Sequence, residues 1–298
     1  GLYSAQQPVG GARLVLLTRS AQGAAMMASE VRISGAAGGA LWGLARVVQL
    51  EQASQRRVVA DVATTGDVAF ACDASADADA ETEVLWRCGR RWVGRLRRGE
   101  VVREVACAGW VRGGEYVVSG GLGGLGLRLA REVAAHGGWV VLASRSGRVA
   151  RDGQQLEAQL DALHGQRGRV ARVVRCDLAE AQETHALLRA AVAGGCSARG
   201  VLHAAGAGAS GLLPRVRPCD VVALLGPKAV GAWRVHCSVA ASPLDAVLLF
   251  SSVAALLASA GQASYAAANG QLDSLALVRG AGGAAAASVQ LPLVSGAG

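Results

Sequence analysis

The chain has 298 residues, 52% of them hydrophobic and 41 of them glycine, with a formal net charge of +8. That length supplies one large or two moderate domains, and the charge favours an anionic partner such as a nucleotide or an acidic protein. Seven cysteines, odd in number and never spaced Cys-x-x-Cys, argue against a disulfide framework or a zinc site, so a reducing, cytoplasmic setting is expected. The start carries no signal-peptide pattern, and its first residue is Gly1, so a piece of a longer polypeptide is expected.

The run Arg13 to Thr18 reads as a buried strand. From Ala40 to Glu51, apolar residues recur at Leu41, Leu44, Ala45 and Val48, a helical stripe. Arg57 to Val62 is another short strand. This strand–helix–strand unit has no glycine fingerprint after its first strand, so no nucleotide cradle is expected there. The acidic, low-complexity run 73–83 reads as a loop or a solvated helix start. Val84 to Leu96 then predicts two strands about a turn near Cys88-Gly89. Its arginines and two tryptophans alternate with apolar residues as a half-exposed strand requires, which disfavours nucleic-acid binding.

A second unit opens with Tyr116-Val117-Val118-Ser119 and runs into Gly121-x-Gly123-x-x-Gly126, followed by a helical pattern from Leu127. Between strand and helix, such glycines let backbone amides and a helix N-terminus approach a pyrophosphate. The next strand, from Trp139, ends in Ser144-Arg145-Ser146. An acidic residue there would bind a free ribose 2′-hydroxyl, whereas Arg145 suits a 2′-phosphate, pointing to NADPH over NADH. Helix 153–163, strand 169–175, Cys176-Asp177-Leu178 and helix 179–192 continue the alternation. They lead to Val201-Leu202-His203-Ala204-Ala205-Gly206 as a central strand. Small apolar neighbours make His203 a packed core histidine. Residues 221–237 predict one long helix carrying Lys228.

Ala246 to Phe250 reads as a buried strand that ends in Ser251-Ser252. A helix after Gln262 would place Tyr265 and Asn269 one turn apart on one face. The uncharged stretch 246–272 is long enough to span a bilayer, but its serines, glutamines, tyrosine and asparagine favour a buried strand plus helix, so no membrane span is expected. Rarity adds to this. Lys228 is the single lysine among 30 Lys and Arg, and Asn269 the single asparagine. A compact ammonium can sit beside a phenol and stabilise its phenolate, which a guanidinium does less well.

These residues in this order resemble the short-chain dehydrogenase/reductase superfamily. Ordinary members carry Tyr-x-x-x-Lys. Here Tyr265-Ala-Ala-Ala-Asn269 stands with its lysine far upstream, a pattern similar to ketoreductase domains of modular type I polyketide synthases and of type I fatty acid synthases. Pro227 to Trp233, Phe250 to Ala254 and Gly261 to Asn269 share the family's phrasing, and Ala40 to Arg46 resembles its truncated structural subdomain. The resemblance implies a doubly wound, Rossmann-like parallel sheet over 113–298, preceded by a smaller Rossmann-like structural subdomain over 1–112 without a cofactor site. It implies Tyr265, Ser252, Lys228 and Asn269 as catalytic residues and no metal. NADPH would lie against Gly121, Leu122, Gly123, Gly124, Gly126, Ser144, Arg145, Ser146, Asp177, Leu178, Ala204, Ala205 and Gly206.

The implied reaction is reduction of a β-ketoacyl thioester on the phosphopantetheine arm of an acyl carrier protein, beside other domains of a larger synthase. Three departures stand out. The Leu-Asp-Asp fingerprint of one product configuration is replaced by Gly208-Ala209-Ser210. The tryptophan of the other configuration is replaced by Leu257, so neither configuration is assigned. Gln290 to Val294 stands where the family has Trp-Gly before a lid helix, so that lid is expected to be missing. The rival readings are the ketoreductase of a type I fatty acid synthase and a non-catalytic nucleotide-binding or structural module of a megasynthase.

Overall fold

The computed structural model describes residues 14–22, 34–53, 57–74, 81–98, 111–149, 155–165, 170–193, 198–208, 211–240 and 242–293. Residues 75–80 of the acidic run and Ala209-Ser210 lie outside them.

The first lobe comprises β1 (Leu14–Arg19), α1 (Ser34–Glu51), β2 (Arg57–Val62), α2 (Gly66–Ala74), β3 (Glu83–Arg87) and β4 (Arg90–Trp92). Its sheet runs β1-β2-β3-β4, parallel except for the final hairpin. Cys88 and Gly89, at φ 51 and 71, form the turn, since a two-residue hairpin loop needs positive φ at both positions. β4 stops at Trp92, short of the expected Leu96, because this edge strand has one neighbour and Val93 to Leu96 are exposed. The helix α2 was not anticipated. It has no amphipathic period, but its start is a capping box: Thr64 Oγ1 accepts from Asp67 N–H, and Asp67 Oδ2 accepts from Thr64 N–H.

Asp61 organises this lobe. Its buried carboxylate accepts the backbone amides of Ala21 and Gln22 at 2.9 and 3.0 Å, the hydroxyl of Thr18 at 2.7 Å and Arg87 Nη2 at 2.5 Å. Trp42 of α1 donates to the same Thr18 hydroxyl at 2.9 Å. In a dinucleotide fold the amides after the first strand face phosphate. Here a side chain of the protein takes them.

The second lobe alternates β5 (Glu115–Ser119), α3 (Gly124–Ala135), β6 (Trp139–Ser144), α4 (Leu156–Gly165), β7 (Val170–Arg175), α5 (Ala181–Ala193) and β8 (Ala198–His203). A 3-10 turn at Leu213–Arg215, α6 (Pro218–Leu225), a π turn at Gly226–Val230 and α7 (Gly231–Val239) come next. The chain closes with β9 (Ala246–Ser252), α8 (Ala254–Leu257), α9 (Ala263–Ala281) and β10 (Ala287–Leu291). The six strands run β10-β9-β8-β5-β6-β7, all parallel. This is the doubly wound order, with its crossover reversal between β5 and β8. Tyr116, Val118, Val140 and Leu142 pack on the α3 side, and Val117, Val141 and Val201 on the α5 and α7 side. Both faces are covered, so the strands read as continuous apolar runs.

The expected long helix at 221–237 is widened in its middle. Pro227 has no N–H to donate and its ring crowds the preceding turn, so the backbone opens into the π turn that carries Lys228. Residues 246–272 form a strand, a short helix and the start of α9, and among the described residues no helix is long and apolar enough to cross a membrane.

The lobes meet where α1 crosses α9. A Cβ on Gly39 would strike Gly270 O and Ser274, and one on Gly43 would strike Ala266 O. Small residues on both helices therefore let the backbones touch.

Candidate active site

Ligands of doubly wound sheets sit beyond the carboxyl ends of the strands at the topological switch point. Two backbone turns meet there. One follows β5, the other follows β8. Gly120, at φ 66, supplies the left-handed residue, and a Cβ on it would lie 2.8 Å from Ala204 O and Ala205 N. Gly121 packs against Leu142, and Gly126 against the carbonyl of Gly120. Gly123 precedes the first turn of α3 without a side-chain cap, leaving helix N–H groups directed at the turn. Leu122, within the turn, and Leu178, after β7, are both buried. A side chain at Gly120, Gly121 or Gly126 would strike the protein's own backbone, so these glycines let the turn pack tightly against β6 and the segment after β8, and the uncapped N-terminus of α3 beside it suits an anionic dinucleotide.

Arg145 is exposed just past β6, between Ser144, whose Oγ accepts Gly147 N–H, and Ser146, whose Oγ donates to Arg148 O. Asp177 accepts Ala179 N–H at 2.9 Å, shaping the turn after β7. Gly206 lies beside the lysine: a Cβ there would meet Lys228 Cδ and Nζ at 3.8 Å.

Lys228 is buried, with Nζ 5.0 Å from the centroid of the Tyr265 ring. Burial pushes its ammonium down to about 8, only partly opposed by the charge of Asp273. Asn269 Nδ2 donates to Tyr265 O at 2.8 Å, and its buried Oδ1 has no protein partner. Ser252, partly buried at the end of β9, accepts Ala254 N–H at 3.2 Å. Lys228, Tyr265 and Asn269 are thus brought together across the π turn and α9, with Ser252 on the adjoining strand end.

Sequence reasoning passed over four contributors. His203 is fully buried, as expected of a core residue, but it is also a bridge. Nε2 donates to Lys228 O at 2.9 Å, and Nδ1 accepts from Ser119 Oγ at 2.8 Å. A carbonyl only accepts, which fixes the neutral Nε2–H tautomer. Burial lowers its pKa to about 4. Ser251 Oγ donates to Asn269 O at 3.2 Å and ties α9 to β9. Gly120 sits one residue before the counted motif, and positive φ is invisible in a glycine-rich run. Glu51 reaches this region from the other lobe.

The KR domain family matches residues 114–296. The chain belongs to this family. KR domains are oxidoreductases of the short-chain dehydrogenase/reductase type and bind a nicotinamide cofactor. Polyketide synthase GfsA of Streptomyces halstedii is 37% identical over 99% of this chain, which spans 4% of that protein. Pikromycin polyketide synthase component PikAIII of Streptomyces venezuelae is 34% identical over 87% of this chain and 16% of its own length. The chain therefore spans a small fraction of the polyketide synthases it matches. A solved A1-type ketoreductase superposes with a TM-score of 0.80 at 32% identity, covering 94% of this chain and 58% of that one.

Proposed function

We propose that this KR domain reduces a β-ketoacyl thioester, presented on the phosphopantetheine arm of an acyl carrier protein, to the β-hydroxyacyl thioester. The single observation carrying this reading is the buried Lys228 ammonium beside the Tyr265 ring, at the switch point that also holds the glycine turn.

Gly120 to Gly126 would hold NADPH, with Arg145 at its 2′-phosphate, and the bound cofactor would supply the hydride. Tyr265 O–H donates its proton to the ketone oxygen as that oxygen becomes an alkoxide. The Lys228 ammonium stabilises the phenolate left behind. Ser252 O–H donates a hydrogen bond to the same oxygen and orients the carbonyl. Asn269 Oδ1, buried without a protein partner, suits a water that returns a proton from solvent to Tyr265. Residues 1–112 serve as a structural subdomain and 113–298 as the catalytic one, within a larger synthase.

The test is NADPH oxidation with a diketide thioester or trans-1-decalone, comparing the native chain with Tyr265→Phe. Loss of the acid should cost about 10²-fold or more in turnover. Equal rates for the two proteins would remove Tyr265 from the chemistry. NADPH binding with no turnover by the native chain would favour a structural module.

A further inference from the structure

Two loops stand beside Tyr265 and belong to different parts of the chain. One, Ala258 to Gln262, links α8 to the first turn of α9. The other runs from Gly211 into the 3-10 turn at Leu213. Gly211 N–H donates to Gly261 O at 2.8 Å and joins them. Leu212 on one of these walls, and Leu256 and Leu257 of α8 beside the other, are exposed apolar side chains that suit an acyl chain.

Both walls are held from the first lobe. Glu51, the last residue of α1, uses both carboxylate oxygens. Oε2 accepts Leu213 N–H at 2.7 Å, and Oε1 accepts Gly261 N–H at 2.8 Å. Arg46, on the same helix, donates Nη1 to Ala255 O at 2.6 Å and engages Glu83 of β3 at 2.6 and 2.7 Å. The loop between these anchors is strained. Ala258 sits at φ 57, ψ 167, a region almost restricted to glycine, and such residues persist only where their surroundings over-determine them.

Resting on the reductase reading above, we propose that Glu51 is a positioning residue that sets the configuration of the product hydroxyl. The proton donor Tyr265 and the cofactor cradle are fixed by α9 and β5. With hydride and proton sources fixed, configuration depends only on which way round the ketone enters. Its two substituents meet the two walls. The clamp that holds the joined walls in place therefore decides the orientation. Glu51 touches neither substrate nor cofactor and acts through the amides of Leu213 and Gly261.

The experiment uses the 298-residue chain with Glu51→Gln and Glu51→Ala. Gln keeps the size and one acceptor oxygen, so its effects should fall between those of the native chain and Ala. A charge-assisted hydrogen bond of this kind corresponds to about 10- to 100-fold in amide opening. Hydrogen exchange at Leu213 and Gly261 should accelerate by about that factor in Glu51→Ala. The minor diastereomer of a racemic 2-methyl-3-ketoacyl thioester reduction should rise several-fold, while NADPH affinity stays within about twofold. Unchanged exchange would sink the clamp, whatever the turnover. Faster exchange with an unchanged product ratio would leave Glu51 a stabilising residue and overturn the proposal. A parallel fall in NADPH affinity would do the same, by showing general loosening. A native chain that binds NADPH without turnover would overturn the reductase reading and the configurational role with it, while the exchange rates still judge the clamp.

Discussion

Raising the pH should switch off this site and stabilise the protein at once, through one group. Lys228 is buried in the π turn and its pKa is lowered from 10.5 to about 8 by burial. A cation whose folded pKa lies below its unfolded one destabilises the fold fully below the folded pKa, and that penalty vanishes as pH rises past the unfolded value. A gap of this size corresponds to about 3 kcal/mol, most of which should be recovered between pH 7 and pH 10. Other groups titrate in that range, so the comparison is with Lys228→Met, which lacks the ammonium. Denaturant unfolding at both pH values should show native minus Lys228→Met stability rising by about 2–3 kcal/mol. Over the same range kcat/KM should fall about tenfold per unit above pH 8, as the neutral amine ceases to stabilise the Tyr265 phenolate. A flat rate profile to pH 9.5, or a stability difference independent of pH, would refute the assignment of that pKa to Lys228.

Arg145→Ala should weaken NADPH by about 10- to 100-fold, the worth of a charge-assisted contact, and leave NADH nearly unchanged; equal losses in a fluorescence titration would remove the 2′-phosphate role. His203 is held neutral, with its pKa lowered from 6.5 to about 4, so it contributes stability above pH 6.5 that is lost as pH falls towards 4. The loss should reach about 3 kcal/mol and be absent from His203→Gln; identical acid unfolding of the two proteins would contradict it. Gly43→Ala should push α1 off α9, because the new methyl meets Ala266 O. Overpacking of this kind costs about 1–3 kcal/mol, and a melting temperature unchanged from the native chain would show that the crossing yields freely.

The parts legible in the sequence are those where one local rule decides. Continuous apolar runs gave the parallel strands, and Cys88-Gly89 between alternating residues gave the hairpin. Gly121-x-Gly123-x-x-Gly126 placed the cradle because the motif is local. The single lysine pointed at Lys228, and the structure sets it against Tyr265 from 37 residues away. What stayed hidden depends on pairing across the chain. The widened turn at Pro227 follows from a proline inside a helix, a signal overridden by the apolar stripe around it. The bridge through His203 needs β5, β8 and the π turn in register, which no spacing records. Glu51 closes a helical stripe in the sequence, and its two partners lie 162 and 210 residues away.

Why the chain retains a first lobe follows from the same contacts. Its sheet has strand–helix–strand order, yet the amides after β1 are committed to Asp61, so the half-fold cannot offer them to a phosphate. Its helix α1 does other work. Gly39 and Gly43 press on the backbone of α9 at Gly270 and Ala266, and Gln271 Nε2 of the same helix donates to Ala229 O of the π turn that carries Lys228. Arg46 and Glu51 then extend the same helix to the segments between Ser252 and Tyr265. Charged anchors at its end fix the register. Through α1 the lobe thus touches α9 along Gly39 and Gly43 and holds the segments before Tyr265 through Arg46 and Glu51.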